Sequence, residues 1–374
     1  MKIGVVGLGY WGPNIIRNFL SNSEVKQVIG CDKRVDRLNF VKDKFAQVEI
    51  LDDYQSLLHR DIDSVAIATP VRTHYWFARQ ALEAGKHIWV EKPFTASCQQ
   101  AQELIEIAEK NNLKIFVDHT FIYTGAVRKI KELVDKGELG EIIYFDSVRI
   151  NLGLFQHDCN VVWDLAPHDL AIMSYILPNY KIEAVTACGI SNYYDQENLA
   201  QLSLHFEKSK CFAHFHVNWT SPVKIRRVII AGKKKMLVYD DMENSEKIKV
   251  YDSRVEMNSV EDIHSALAQY RIGNMNSPKI EQNEALAACV KEFISAIKED
   301  RQPLTGAKEG LEVVRILEAT DKSIKNKGAY VELINVIKSE ESSDSKGEFQ
   351  KFEMKKSKYD NNVNSTEFEK AVGF

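Results

Sequence analysis

The stretch KIGVVGLGYWGPNIIRNFL, residues 2–20, limits what this chain can fold into more than any other part of it. An apolar run meets a glycine cluster and then an amphipathic run, which predicts a buried strand, a tight turn and a helix. Gly7, Gly9 and Gly12 stand in the pattern G-x-G-x-x-G. The first glycine permits the turn, the second lets the backbone approach a pyrophosphate, and the third lets helix and strand pack closely. The helix start then offers free N–H groups and a positive dipole end to phosphate. A second strand, VKQVIGCD, ends in Asp32, about 20 residues past the last glycine, where a ribose-binding acid is expected. Tyr10 and Trp11 lie inside the glycine run and join the same cofactor set. The competing reading is a cluster of turn glycines and a surface Asp; the strand-turn-helix context argues against it. Asp32 favours NAD, because its charge repels a 2′-phosphate. Lys33 and Arg34 follow at once and offer partners for one, so NADP stays open.

The alternation continues to about residue 121. YQSLLHRD, HYWFARQALEAGK and SCQQAQELIEIAEKNN read as helices, and IDSVAIATP, HIWVEKP and LKIFVDHTF as strands. Strands and helices in turn predict a parallel sheet covered on both faces, with ligands beyond the carboxyl ends of its strands. Two of those ends carry chemistry. Thr69 and Pro70 close one, with His74 just after, and Glu91, Lys92 and Pro93 close the next. A tripeptide Glu-Lys-Pro is by itself an exposed turn with a local ion pair. At this edge of the sheet Pro93 would fix a bend, and the Lys92 ammonium could hold a substrate hydroxyl.

The bulk properties exclude several classes. The chain has 374 residues, enough for two domains, with 44% hydrophobic and 27% charged residues, an ordinary globular balance. A net charge of −4 gives no basic surplus for nucleic acid. No apolar run approaches the roughly 20 residues of a membrane span. MKIGVVGLGY reads as strand and turn rather than a signal peptide. The six cysteines form no close pair, which argues against a disulfide framework or a metal site and fits a reducing cytoplasm.

Further on, WDLAPHDLAIM, residues 163–173, reads as the entrance of an amphipathic helix, with Pro167 tolerable in its first turn. Asp164 and His168 are four residues apart and share a face. The bland account makes Asp164 the helix N-cap and His168 a partly buried polar residue.

Taken together, GLGYWG, ATPVRTH at 68–74, EKP at 91–93, VDHTFIYTGAVRKIKELVDKGELG at 117–140 and the Asp164/His168 pair resemble the Gfo/Idh/MocA oxidoreductases, the group of glucose–fructose oxidoreductase and inositol dehydrogenase. The resemblance spans roughly residues 1–334 and is strongest to the nucleotide-sugar branch. It implies an α/β chain with an N-terminal Rossmann dinucleotide-binding domain and a C-terminal α/β domain on a large, open, mainly antiparallel sheet. It also implies oxidation or reduction of a secondary alcohol of a sugar, cyclitol or related substrate with NAD(P). In that light Lys92 is the lysine that holds the hydroxyl, His168 the general acid/base, and Asp164 the residue that orients or polarises the site. An imidazole that titrates near neutrality would suit the proton transfer. A nucleotide-binding regulator could keep the same fold; the joint presence of Lys92, Asp164 and His168 favours the enzyme.

The domain boundaries read as 1–121, 122–337 and a charged, flexible tail at 338–374. In the second domain EIIYFDSVRINL, IEAVTACGISNYY, NLAQLSLHFEKSK, KCFAHFHVNWTS, RRVIIAGKKKMLVYDD and KIKVYDS read as strands, with hairpin turns near KSK and Gly232. His214 and His216 alternate along one strand; two covered faces, one in a subunit interface, suit them better than a metal pair. RINLGLFQHDCNVV is the expected substrate loop. Tyr123, Arg149 and Asn151 are candidate substrate contacts, with Arg149 suited to a phosphate or carboxylate, or else a solvated sheet residue. The family habit implies a homodimer or homotetramer formed through the sheet.

Overall fold

A computed structural model describes residues 1–153, 155, 156, 158–193, 195–256 and 269–333. The expected tail lies outside the described residues. The first sheet contains β1 (Lys2–Val6), β2 (Gln27–Cys31), β3 (Glu49–Leu51), β4 (Ser64–Ile67), β5 (His87–Glu91) and β6 (Ile115–Asp118). Every pairing is parallel, in the order β3-β2-β1-β4-β5-β6, which is the order of a Rossmann fold. The crossovers are α1 (Gly12–Leu20), α2 (Val35–Lys44), α3 (Tyr54–Leu58), α4 (Val71–Glu83) and α5 (Cys98–Lys110). Burial on both faces explains the unbroken apolar runs: Ile3, Val5, Val65, Ala66, Ile88 and Trp89 are all fully buried.

A 3-10 turn (Thr120–Tyr123) and α6 (Gly125–Asp135) lead to the second sheet. Its strands are β7 (Ile142–Leu152), β8 (Ile182–Ile190), β9 (Leu199–Phe206), β10 (Phe212–Asn218), β11 (Thr220–Gly232), β12 (Met236–Asp240), β13 (Ile248–Glu256), β14 (Gln269–Asn276) and β15 (Val331–Glu332). They run in the order β14-β13-β12-β11-β7-β10-β9-β8-β15. All neighbours are antiparallel except β7 and β10. The hairpins at KSK and Gly232 are both present, joining β9 to β10 and β11 to β12.

Helix α7 (Val161–Ile176) lies against β7, β9 and β10. The period-2 pattern follows from that cover: Phe145, Ser147 and Arg149 of β7 are buried, while Asp146 and Val148 are half-buried. Within the single chain β10 is covered on one face only. Ala213, Phe215 and Val217 are buried, but Phe212 is exposed and His214 and His216 are half-buried, so one face is open in the single chain. His214 Nδ1 meets Asp146 Oδ1 of β7 at 3.0 Å on that face.

The last helices tie the two sheets together. Helix α8 (Ala285–Lys298) packs on α1 and the 3-10 turn, and α9 (Ala307–Lys325) packs on α5, α7 and β8. The loop between them joins the edge of the first sheet, where Val117 N donates to Thr305 O at 2.8 Å. Among the described residues no helix is long and apolar enough to cross a membrane.

Candidate active site

The glycine turn is shaped as the sequence requires. Gly7 has φ +89°, and a Cβ there would lie 2.6 Å from Ala68 O and 2.8 Å from the Thr69 side chain. A Cβ on Gly12 would lie 2.2 Å from Gly7 O. The turn therefore presses against the ends of β4 and α1 and leaves a cradle of bare backbone. Asp32 holds it from the end of β2: Leu8 N donates to Oδ2 at 2.7 Å and Arg34 N to Oδ1 at 2.9 Å. Each oxygen keeps lone-pair capacity, because an ionised carboxylate accepts about four bonds. Tyr10 and Trp11, an edge-to-face pair 5.4 Å apart, stand exposed beside the turn. Arg34 reaches back to Asp32, with Nε 3.5 Å from Oδ1. The turn, the helix start and the acid fit a dinucleotide such as NAD, with Asp32 and the glycine backbone as its holders.

Lys92 ends the neighbouring strand, before a cis peptide to Pro93. Its Nζ donates to Asp164 O at 2.8 Å and approaches Asp164 Oδ1 at 3.3 Å. Helix α7 is capped by Asn160, whose Oδ1 accepts from Val162 N and Trp163 N, both at 3.1 Å. This corrects the reading of Asp164 as the cap. The helix begins earlier than expected and carries Pro167 inside it, at the loss of the bond that residue 167 would give to Trp163 O. Asp164, freed from capping, accepts from Trp219 Nε1 at 3.0 Å on its other oxygen.

His168 lies one turn on. Its Nδ1 is buried with no partner among the described residues, and its ring meets Phe121 edge to face at 5.0 Å. Burial first, then the charges of Lys92 and Arg149 and the neighbouring His119 and Arg226, push its pKa well below the ordinary histidine value. The expectation of an imidazole titrating near neutrality is corrected accordingly: His168 is neutral at pH 7 and available as a proton acceptor.

Four other expected contacts turn inward. His74 is buried, with Nδ1 2.9 Å from Pro93 O and Nε2 2.8 Å from Thr69 O, and braces the two strand ends. Glu91 is buried opposite Asp118, its register partner on β6. Burial and that second carboxylate hold the Glu91 carboxyl well above its ordinary value. Tyr123 is fully buried, its hydroxyl 2.9 Å from Thr305 Oγ1. Arg149 gives two bonds of 2.8 Å to Asp169 of α7, and its guanidinium is closed off from ligand. Thr69 stays at the glycine turn and receives Thr73 Oγ1 at 2.8 Å, while Pro70 is exposed as the residue preceding α4, and Lys33 is exposed after Asp32. Asn151 and the Trp219 indole both lie beside Gly153. Residues 154 and 157 of the expected substrate loop lie outside the described residues; Arg72 Nε anchors the loop at Asp158 O, at 3.1 Å.

Three residues escaped the sequence reading. Trp219 gave no signal before folding brought it to Asp164. His119 had one: it follows the end of β6, a parallel-strand terminus of the kind already flagged at β4 and β5. It is buried, neither ring nitrogen has a partner among the described residues, and burial with the Lys92 charge pushes it down to about 4. Arg226 is the sheet neighbour of Arg149.

Residues 1–119 match the model of an oxidoreductase family, NAD-binding Rossmann fold, and residues 131–333 that of the family's C-terminal alpha/beta domain. The chain belongs to the Gfo/Idh/MocA oxidoreductase family. Its first domain is therefore an NAD-binding Rossmann domain. An uncharacterized oxidoreductase of Schizosaccharomyces pombe is 33% identical over 147 residues, 36% of this chain and 40% of that one. The chain thus matches well under two thirds of that relative's length. The scyllo-inositol 2-dehydrogenase (NADP(+)) of Bacillus subtilis is 22% identical across 87% of this chain and 94% of its own. The UDP-N-acetylglucosamine 3-dehydrogenase of Acidithiobacillus ferrooxidans is 27% identical over 203 residues, 54% of this chain and 61% of its own. Its solved structure superposes with a TM-score of 0.72 at 22% identity, across 87% of this chain and 98% of that one.

Proposed function

We propose that this member of the family oxidises or reduces a secondary alcohol of a sugar, with C3 of a UDP-linked N-acetylated hexose as the best-supported position. The observation that carries the reading is the meeting of Lys92, from the end of β5, with Asp164 and His168 on one face of α7. When bound, NAD supplies the hydride acceptor or donor. His168 starts neutral and takes the hydroxyl proton on its ring. Lys92 holds the same oxygen and stabilises negative charge as it develops there. Asp164, fixed by the Trp219 indole, aims the ammonium and balances its charge. The dehydrogenase from Acidithiobacillus ferrooxidans supports the nucleotide-sugar assignment; the Bacillus subtilis inositol enzyme keeps a cyclitol or free sugar, with NADP, as the second reading.

The uncovered face of the second sheet, with Tyr144, Val148, Phe212 and Ile229 partly accessible, supports a homodimer or homotetramer built on that face. The test of function is a screen of UDP- and dTDP-sugars against free hexoses and inositols, following nicotinamide absorbance in both directions. Turnover of a UDP-N-acetylhexosamine above all others is the expected result. Much faster turnover of a free sugar or inositol would replace the substrate assignment and leave the oxidoreductase.

A further inference from the structure

We propose that Arg226 is the anion-recognising residue of the substrate cleft, and that the substrate presents it with an oxyanion, a diphosphate or a ring carboxylate. The inference rests on the reading of the cleft as a sugar site and adds the charge of the sugar it takes.

Arg226 and Arg149 are register partners on β11 and β7. They flank the same aromatic ring: Arg149 Cζ lies 4.6 Å and Arg226 Cζ 5.8 Å from the Phe121 centroid. The His168 ring meets that same Phe121 at 5.0 Å. Arg226 and His168 thus share one aromatic neighbour, and the Arg226 charge acts on the His168 ring. The two arginines differ in what is left of them. Arg149 is 4% exposed and spends two donors on an equally closed Asp169. The Arg226 side chain is 33% exposed and, among the described residues, its one polar contact is long, Nη1 to Asp241 Oδ2 at 3.4 Å.

Asp241 is a shared partner. Lys247 Nζ reaches its Oδ1 at 3.2 Å and its carbonyl at 2.6 Å, and the Tyr239 hydroxyl donates to Oδ1 at 3.2 Å. Burial works against its charge, yet Lys247 and Arg226 hold its carboxyl below the ordinary value. Asp169 is thus engaged by Arg149 alone, and Asp241 is shared between Arg226 and Lys247. Of the two arginines beside Phe121, Arg226 is the more exposed and has donors to spare. A guanidinium carries five N–H groups in a planar fork that matches carboxylate and phosphate.

The test compares Arg226→Met, which keeps the stem, with Arg226→Lys, which keeps the charge. Three ligands are titrated calorimetrically in the presence of NAD: UDP-N-acetylglucosamine, free glucuronate and neutral methyl glucoside. Arg226→Met should weaken the anionic ligands about tenfold to a hundredfold relative to the neutral one, and Arg226→Lys should recover part of the loss. NADH affinity and melting temperature check that the variants are folded. Loss confined to the UDP-sugar identifies the diphosphate as the group bound; loss confined to glucuronate identifies the carboxylate. Equal effects on charged and neutral ligands, or no effect, would overturn the proposal. If the wild type turns over no sugar but Arg226→Met still loses UDP, the sugar reading fails and the anion site stands. If sugars turn over and the affinity ratio does not move, the reverse holds.

Discussion

Two carboxylates of one helix, five residues apart, each meet a cation from a different sheet, and they have opposite uses. Asp169 takes the fork of Arg149 through two 2.8 Å bonds, with both side chains 4% exposed. Asp164 takes Lys92 through one 3.3 Å contact, with 21% and 15% of the side chains exposed. The closed pair is shut off from a ligand by its burial; its role is to fix α7 on β7. The open pair joins the same helix to the Rossmann sheet but leaves Lys92 donors and an accessible edge. A buried ion pair orients a fold, whereas a reactive one must stay accessible until substrate arrives.

The comparison breaks most easily at the reactive end. His168→Ala should lower kcat by about 10²–10⁴-fold, the usual contribution of a general acid or base. NADH affinity and melting temperature should stay near the wild type. Unchanged turnover, with hydride transfer shown to be rate-limiting, would remove His168 from the chemistry. At the closed end the effect moves from rate to stability. Arg149→Met leaves Asp169 buried without its partner and should cost about 3–5 kcal/mol in urea unfolding. A variant as stable as the wild type would mean that water or another cation reaches Asp169.

Histidine burial predicts a smaller effect that can be read from pH alone. His119 is pushed from the ordinary value near 6.5 down to about 4, so below pH 6.5 the unfolded chain binds a proton that the folded chain refuses. Stability should therefore fall as pH drops from 6.5 toward 4, and His119→Asn should flatten that slope. An unaltered slope would assign the acid sensitivity to other groups.

Much of the first sheet was legible because its signals are local. Glycine spacing, apolar runs and strand-helix alternation each need only a few neighbouring residues, and Lys92 could be placed at a strand end on that basis alone. The meeting of Lys92 with Asp164 and His168 was reached through resemblance, since no local pattern joins residues 92 and 164. Local rules also misled. Both Asn160 and Asp164 are good capping residues, and keeping Pro167 within the first turn selected the later one; the folded helix absorbs the proline in its interior instead. Arg149 shows the other limit. Alternation along β7 tells which residues share its face, but not that α7 brings Asp169 down onto that arginine and leaves its neighbour Arg226 the more accessible of the two.

The smallest effect separates the two carboxylates most directly, because the same chemical change is made at both. Asp164→Asn keeps an oxygen for the Trp219 indole but turns an amide toward Lys92. The ammonium retains the Asp164 carbonyl at 2.8 Å, so it should stay in the cleft with its aim loosened. A charge-assisted bond contributes roughly 1.5–3 kcal/mol. Because part of the contact survives, the expected loss lies at the lower end, about tenfold in kcat, with little change in melting temperature. Asp169→Asn should do the opposite, lowering stability through the uncompensated Arg149 while any loss of rate follows the fraction unfolded. Steady-state kinetics and thermal melts on the two variants decide the matter. If Asp164→Asn melts early and keeps its rate, Asp164 is a structural joint like Asp169, and the distinction between the open and closed pairs fails.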